Sequence, residues 1–358
     1  MRRGAVEPGL PGDAQAVPES GRARMEIVEP GVQTTVQDYP GRTGLQAKGF
    51  FPSGPMDSFA LRAANLLVGN DARDAGLEIP LGRFAARFTC PARVALCGAE
   101  GAGPTVNGVD VPMWQTVPVR PGDVLACGAA KGPGFRLYLA VSGGIDVPEV
   151  LGSRSVHTLS GIGGVDGRPL VEGDELPLGA GTFGGGHDPD GAALRLPQAL
   201  RPVYHTDWEL AVVRGPHGGR EFLTPAGWRE FTGRTWRVDL NSDRLGIKLD
   251  AHTFSWARHD GGVAGSHPSN VLDSSYPLGG VTVIGDVPTV LGPDGPTSGG
   301  FTVIAAVVYA DLWKLGQLRP GYDTVRFREI DLDEADALAW HAEFALDARR
   351  LEQLPGVT

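Results

Sequence analysis

Lysine is scarce. The 358 residues hold only Lys48, Lys131, Lys248 and Lys314, and Lys and Arg together number 32 against 42 Asp and Glu. The net charge of −10 excludes a nucleic-acid or anionic-membrane surface, which needs clustered Lys and Arg. Cysteine is equally sparse. Cys90, Cys97 and Cys127 are odd in number, lack metal-ligand spacing and sit in apolar strand-like runs, so they read as buried thiols of a reducing compartment. No apolar run approaches the roughly 18 residues of a membrane span. The first two dozen residues lack the apolar core of a signal peptide, which makes a cytoplasmic protein the expectation. A Walker A loop, a strand-linked Gly-x-Gly-x-x-Gly and a Gly-x-Ser-x-Gly elbow are also missing.

Glycine and proline are abundant, at 53 and 29 residues. With turns recurring throughout, they favour a mainly β chain with a few short helices, and the length favours two domains. Residues 1–24 are expected to be a disordered extension, or to follow from a start placed ahead of Met25. Short strands at close spacing (Phe84–Phe88, Arg93–Leu96, Pro104–Val109, Val124–Cys127, Phe135–Val141) predict a closed or nearly closed barrel over 25–180. One helix, Phe59–Val68, is capped by Asp57 or Ser58. A Gly-rich linker at 181–200 leads to a second β-barrel domain over 201–330. There Thr224-Pro225 starts a short helix, Asp311–Leu318 forms another, and Val281–Ile284 and Phe301–Val308 are strands. Asp331 or Asp333 caps a C-terminal helix within 331–358.

Polar chemistry concentrates in His267–Phe301. His267, Asn270, Asp273 and Asp294 flank a strand-like run and a glycine-rich loop containing Gly295, Ser298 and Gly299. One His without a His or Cys partner makes a poor zinc site, and no metal is expected. General acid–base work or substrate hydrogen bonding suits His267 by its near-neutral titration range. Asp294 is by default a turn residue; its functional reading is an acceptor for a substrate N–H. Asn241–Lys248 adds Asp243 and Arg244, which are either a surface pair or face inward, where Arg244 and Lys248 would give a positive lining. If the run is a strand, Arg244, Gly246 and Lys248 share one face, and Arg244 offers a fork that grips a carboxylate. Pro52-Ser-Gly-Pro-Met-Asp57 reads as a turn and cap, or as Ser53 and helix-start amides facing an anion.

Several ordered motifs then carry a resemblance over Met25–Arg328. They include Gln33-Thr-Thr-Val-Gln-Asp-Tyr-Pro-Gly-Arg, Pro52-Ser-Gly-Pro-Met-Asp, Leu151-Gly-Ser-Arg-Ser, Asn241-Ser-Asp-Arg-Leu-Gly and Leu315-Gly-Gln-Leu-Arg-Pro-Gly. The chain resembles the allophanate hydrolase subunit 2 family, also called the biotin-dependent carboxyltransferase or KipA-like family. Gly265-Ser-His-Pro-Ser-Asn and Leu291-Gly-Pro-Asp-Gly-Pro look most like the carboxyltransferase domain of urea carboxylase. Leu272 departs from that pattern, standing where a His is expected.

The resemblance implies two cyclophilin-like β-barrel domains. It also implies a companion subunit (allophanate hydrolase subunit 1-like, or KipI-like) and biotin carried on a separate protein, with biotin carboxylase and a biotin carrier protein as further partners. None of the four lysines is flanked by methionine, so the chain itself carries no biotinylation signature. The implied reaction moves carboxylate from carboxybiotin to an amide- or urea-type nitrogen. Arg244, Lys248 and amides near Gly295 would stabilise charge, and His267, Asn270 and Asp294 would manage the accepting nitrogen. Asp243, Asp273, Ser298, Gly299, Ser53 and Asp57 complete the expected binding set. Two alternatives stand beside it: the C component of an ATP-dependent 5-oxoprolinase, a lactam hydrolase, and a non-catalytic KipA-like regulatory binding protein.

Overall fold

Successive side chains of a strand point to opposite faces, and in the N-terminal half one sheet is buried on both. In the computed structural model, which describes residues 23–180 and 193–354, this sheet has five strands. They run in the order Thr35–Gln37, Gly76–Pro80, Arg136–Val141, Ala92–Gly98, Val117–Val119. Val94, Leu96, Leu137, Leu139 and Val141 turn into one core, whereas Ala95, Cys97, Tyr138 and Ala140, one residue out of phase, turn into another. The first core is closed by a six-stranded sheet of Glu175–Pro177, Arg24–Glu29, Gly82–Phe88, Val124–Ala129, Thr105–Val106 and Val109–Asp110. The chain passes between the two sheets at Leu81 and Gly82, both left-handed with φ of 62° and 77°.

The second core is covered by α1, Ser58–Val68, as expected. The Asp57 carboxylate caps it, accepting from Ala60 N at 2.8 Å, and left-handed Gly69 ends it. This core continues into the C-terminal half, where Trp208, Leu210, Phe231, Trp236 and Ile304 join Phe59, Leu61 and Leu67 of α1. The eight-stranded sheet there runs Trp236–Arg237, Thr324–Glu329, Asp207–Arg214, Ser298–Val307, Gly280–Ile284, Val287–Leu291, Gly246–Lys248, and Asn270–Ser275 pairs off its path with Ser298–Val307. Helix α2, Pro225–Gly233, starts at the expected Thr224 cap.

The β-rich expectation with few short helices holds. The sheets are open hydrogen-bonded series rather than closed barrels, because the N-terminal strands divide between two stacked sheets at the Leu81–Gly82 corner. In the C-terminal half the end strands approach each other through a bridge between Val238 and Leu249. The single strand expected over Pro104–Val109 is two, split by a left-handed Asn107-Gly108 turn. Asp311–Leu318 is instead a 3-10 helix, Tyr309–Gly316.

The expected extension, apart from residues 23 and 24, and the linker stretch 181–192 lie outside the described residues. The remainder of the expected linker is structured, with Leu194–Arg195 paired to Glu352–Gln353. Helix α3, Leu332–Ala345, is capped by Asp331. Among the described residues no helix is long and apolar enough to cross a membrane.

Candidate active site

The strand Gly76–Pro80 sends Leu77 and Ile79 into the first core, so alternation turns Glu78 to the opposite face, where it lies across from Tyr138. Glu78 is 1% exposed. A buried carboxylate is costly unless paired and hydrogen-bonded. Its Oε2 accepts from Met56 N and Tyr138 Oη, both at 2.8 Å. Its Oε1 accepts from Arg244 Nη1 at 2.8 Å, with Arg136 Nε 3.2 Å away.

Arg244 comes from the turn before Gly246–Lys248 in the C-terminal half. Its Nε and Nη2 hold Asp294 at 2.7 and 3.0 Å, and Nη2 also donates to Gly54 O at 2.8 Å. One guanidinium therefore ties the Asp294 loop to Glu78 and the Pro52–Asp57 turn. Ser53 N reinforces the joint by donating to Pro293 O at 3.0 Å. Close backbone approach completes it: a Cβ on Gly316 would fall 2.6 Å from Asp57 N.

Asp57 is the second hub. Its Oδ2 accepts from Gln317 Nε2 at 2.7 Å, and Gln317 Oε1 in turn accepts from the backbone N of Phe135 and Arg136 at 2.9 and 3.1 Å. Burial pushes the Asp57 carboxyl up to about 7, with the cap and Gln317 opposing the rise and nearby Glu78 adding to it. Glu78 goes the other way. Burial would raise it, but Arg244 and Arg136 hold it below the usual carboxylate range. Burial likewise would lower Arg244, and Asp294 and Glu78 outweigh it.

The turn pinned by Arg244 forms one wall of a pocket of about 300 Å³, at the lower end of small-molecule sites. Tyr39, Thr43, Gln46, Ser53 and Ser58 line it from the N-terminal half, and Leu278, Pro293, Tyr309, Leu312 and Leu315 from the C-terminal half. The lining segments 39–46 and 52–58 are tied down by the residues next to them. Asp38 accepts from Ser153 Oγ, Ser155 Oγ and Arg154 N at 2.5, 2.6 and 2.6 Å, while Arg42 donates to Val150 O at 2.9 Å and Ser53 Oγ at 3.3 Å.

The structure thus brings Arg244, Asp294, Ser53 and Asp57 to one interface. Lys248 is exposed and does not share the buried face of Arg244, which precedes the strand and is free of its alternation. Asp243 caps its own turn, accepting from Leu245 N at 2.8 Å. His267 Nδ1 accepts from Ser269 N at 3.1 Å, and its Nε2 lies 3.5 Å from Asp286. Asn270 packs against Gly261 and Gly265, and Asp273 is exposed, accepting from Ser274 N. The Gly295 amide is not free for an oxyanion, because it donates to Gly292 O at 3.0 Å. Ser298 and Gly299 pair with Ser275 and Ser274, and Gly299 lies against the Tyr276 ring. Among the described residues no group of three or more His, Cys, Asp or Glu is placed to hold a metal ion. Sequence reasoning missed Glu78, Arg42 and Gln317. Glu78 carried a signal, a lone carboxylate inside Gly-Leu-Glu-Ile-Pro.

Comparison with known proteins agrees with this architecture. The family described as carboxyltransferase domain, subdomain A and B, matches residues 48–329. The chain is 39% identical over 339 residues to urea amidolyase of Saccharomyces cerevisiae, covering 93% of this chain and 18% of that protein. It is 34% identical to the C component of the Escherichia coli 5-oxoprolinase, covering 87% of this chain and 93% of that component. The solved urea amidolyase of K. lactis superposes with a TM-score of 0.86 at 37% identity, over 94% of this chain and 20% of that one. The chain therefore spans only a small part of the large enzymes it resembles, and nearly all of the 5-oxoprolinase component. Its relatives are enzymes or parts of enzymes, and the chain belongs to the carboxyltransferase domain family, subdomains A and B.

Proposed function

We propose that the chain is a carboxyltransferase subunit that moves carboxylate from carboxybiotin, carried on a separate protein, to an amide- or urea-type nitrogen in the pocket between its halves. The observation that carries this reading is the pocket itself, walled by both halves and braced by Arg244. Its residues fit a small bicyclic ureido group: Pro, Met and Leu side chains would hold the carbon skeleton, and Tyr39, Thr43, Gln46, Ser53 and Tyr309 would offer hydrogen-bond partners. When bound, carboxybiotin supplies the carboxylate that is transferred.

The chain's own residues orient and desolvate. The apolar walls exclude water, which strengthens every polar contact made inside. Ser58, the first residue of α1, lines the pocket, so the positive end of an 11-residue helix would favour an anion bound there. Asp57, pushed up to about 7, opposes that anion less than an ordinary aspartate does. Arg244 acts from behind the wall, since four of its bonds are already made to Asp294, Glu78 and Gly54.

A second reading rests on the near full-length match to the C component of 5-oxoprolinase, in which the same pocket serves a lactam. The deciding experiment co-purifies the chain with its companion subunit and runs two assays. We expect decarboxylation of carboxybiotin on a biotin carrier protein, stimulated by urea or guanidine. Phosphate release dependent on 5-oxoproline would replace it with the lactamase reading. Silence in both would overturn the enzymatic readings in favour of a KipA-like binding protein.

A further inference from the structure

Helix α3 lies beyond the residues matched by the family, yet it reaches the pocket through one side chain. Glu343 accepts from Tyr309 Oη at 2.7 Å and from Arg62 Nη1 and Nη2 at 2.8 and 2.7 Å. Tyr309 Oη stands 3.2 Å from Tyr39 Oη, and the Arg62 guanidinium lies 4.8 Å over the Tyr39 ring. Tyr39 and Tyr309 both line the pocket. We infer that Glu343 is a positioning residue which, through Tyr309, makes Tyr39 a hydrogen-bond acceptor for an N–H group of the pocket's ligand.

The direction of the relay follows from proton counting. A carboxylate gripped at both oxygens by a guanidinium stays ionised and can only accept. Tyr309 has one proton, and Glu343 takes it. The Tyr309 oxygen is left with lone pairs, which receive the Tyr39 proton and, at 3.4 Å, an N–H of Arg62. Tyr39 has then committed its only proton away from the ligand. What it still offers is an oxygen lone pair, which suits an amide or urea nitrogen that carries an N–H and not a fully N-alkylated one. Without the charge at the far end, both hydroxyls are free to rotate and Tyr39 can present a proton instead. The inference deepens the proposed function and rests on reading this pocket as the substrate site.

The test separates the two. Saturation-transfer NMR on the purified chain titrates urea against tetramethylurea, and needs no turnover. The wild type is expected to prefer urea. Glu343→Ala and Tyr309→Phe should each reduce that preference by about tenfold, and the double variant by no more than either, because one relay is broken once. A merely structural Glu343 would change stability and leave the preference alone. Wild-type preference that survives either substitution, or a wild type without preference, overturns the inference. Tyr309→Phe decides should Glu343→Ala fail to fold. Urea-stimulated decarboxylation in the assembled complex is read separately. Its absence from the wild type sinks carboxyl transfer, while the NMR preference still decides the role of Glu343.

Discussion

Arg244 grips Asp294 through two hydrogen bonds of 2.7 and 3.0 Å and directs its other donors to Glu78 and Gly54 of the opposite half. The side chains of Glu78 and Asp294 are 1% and 5% exposed; Asp294 is paired with this cation, and Glu78 shares it with Arg136. Removing one partner of a buried pair leaves an uncompensated charge and costs about 3–5 kcal/mol. Arg244→Met should lose stability on that scale. Arg244→Lys should not restore it, because an ammonium cannot reproduce the planar fork. Denaturant titration checks this; a midpoint unchanged in Arg244→Met would mean the joint is not held by charge.

Asp57 gives the fold a pH dependence of unusual sign. Its carboxyl is raised from 3.8 to about 7 in the folded chain, mainly by burial. Between those values the folded state binds the proton that the unfolded state has lost. The stabilising contribution is complete below the lower value and disappears as pH rises through about 7. Glu78 has the opposite slope, because its folded form is held below 4.5, and its contribution is lost as pH falls beneath that. The two windows meet only between 3.8 and 4.5, and at higher pH the Asp57 contribution alone of the two changes. Asp57→Asn keeps a capping side chain and removes the titration. Stability of the wild type relative to this variant should fall between pH 5 and 8, and a flat difference would show that Asp57 does not titrate there.

How much of this was readable beforehand differs by residue. The α1 cap at Asp57, the Thr224-Pro225 helix start and the overall β character were legible because each is a local pattern. The sequence marks Arg244 and Asp294 as candidates, but as pocket-facing groups. Their mutual pairing spans 50 positions of sequence and emerges only once the Asp294 loop folds beside the Arg244 turn. The Lys248 expectation erred because alternation was extended past the strand's first residue, Gly246. Glu78 and Gln317 are ordinary residue types in apolar runs, and their importance comes from turns of the C-terminal half meeting a sheet face and the α1 start of the N-terminal half.

Gln317 offers an independent measure of that joint. It is fully buried and links Asp57 Oδ2 to the backbone of Phe135 and Arg136. Gln317→Leu strands at least one buried acceptor and two amides, each costing about 1–3 kcal/mol. Gln317→Glu keeps the acceptor but faces Asp57 with a second carboxyl, so its deficit should grow with pH. Melting temperatures at pH 5 and 8 distinguish the two. Equal losses at both pH values in Gln317→Glu would exclude charge coupling with Asp57.

Pocket occupancy can be separated from the integrity of the joint by a residue that touches only the former. Leu278 lines the pocket from the C-terminal half and is partly exposed, and it takes no part in the Arg244 or Asp57 networks. Leu278→Trp should therefore fill space without stranding a buried charge. If chemistry takes place in this pocket, kcat/KM for urea-stimulated decarboxylation falls at least about tenfold, roughly 1.4 kcal/mol of transition-state stabilisation. The melting temperature should stay near that of the wild type, in contrast to Arg244→Met. A Leu278→Trp variant with full activity would move the reaction away from this pocket and return attention to the His267–Phe301 loops, where His267 holds Ser269 and faces Asp286.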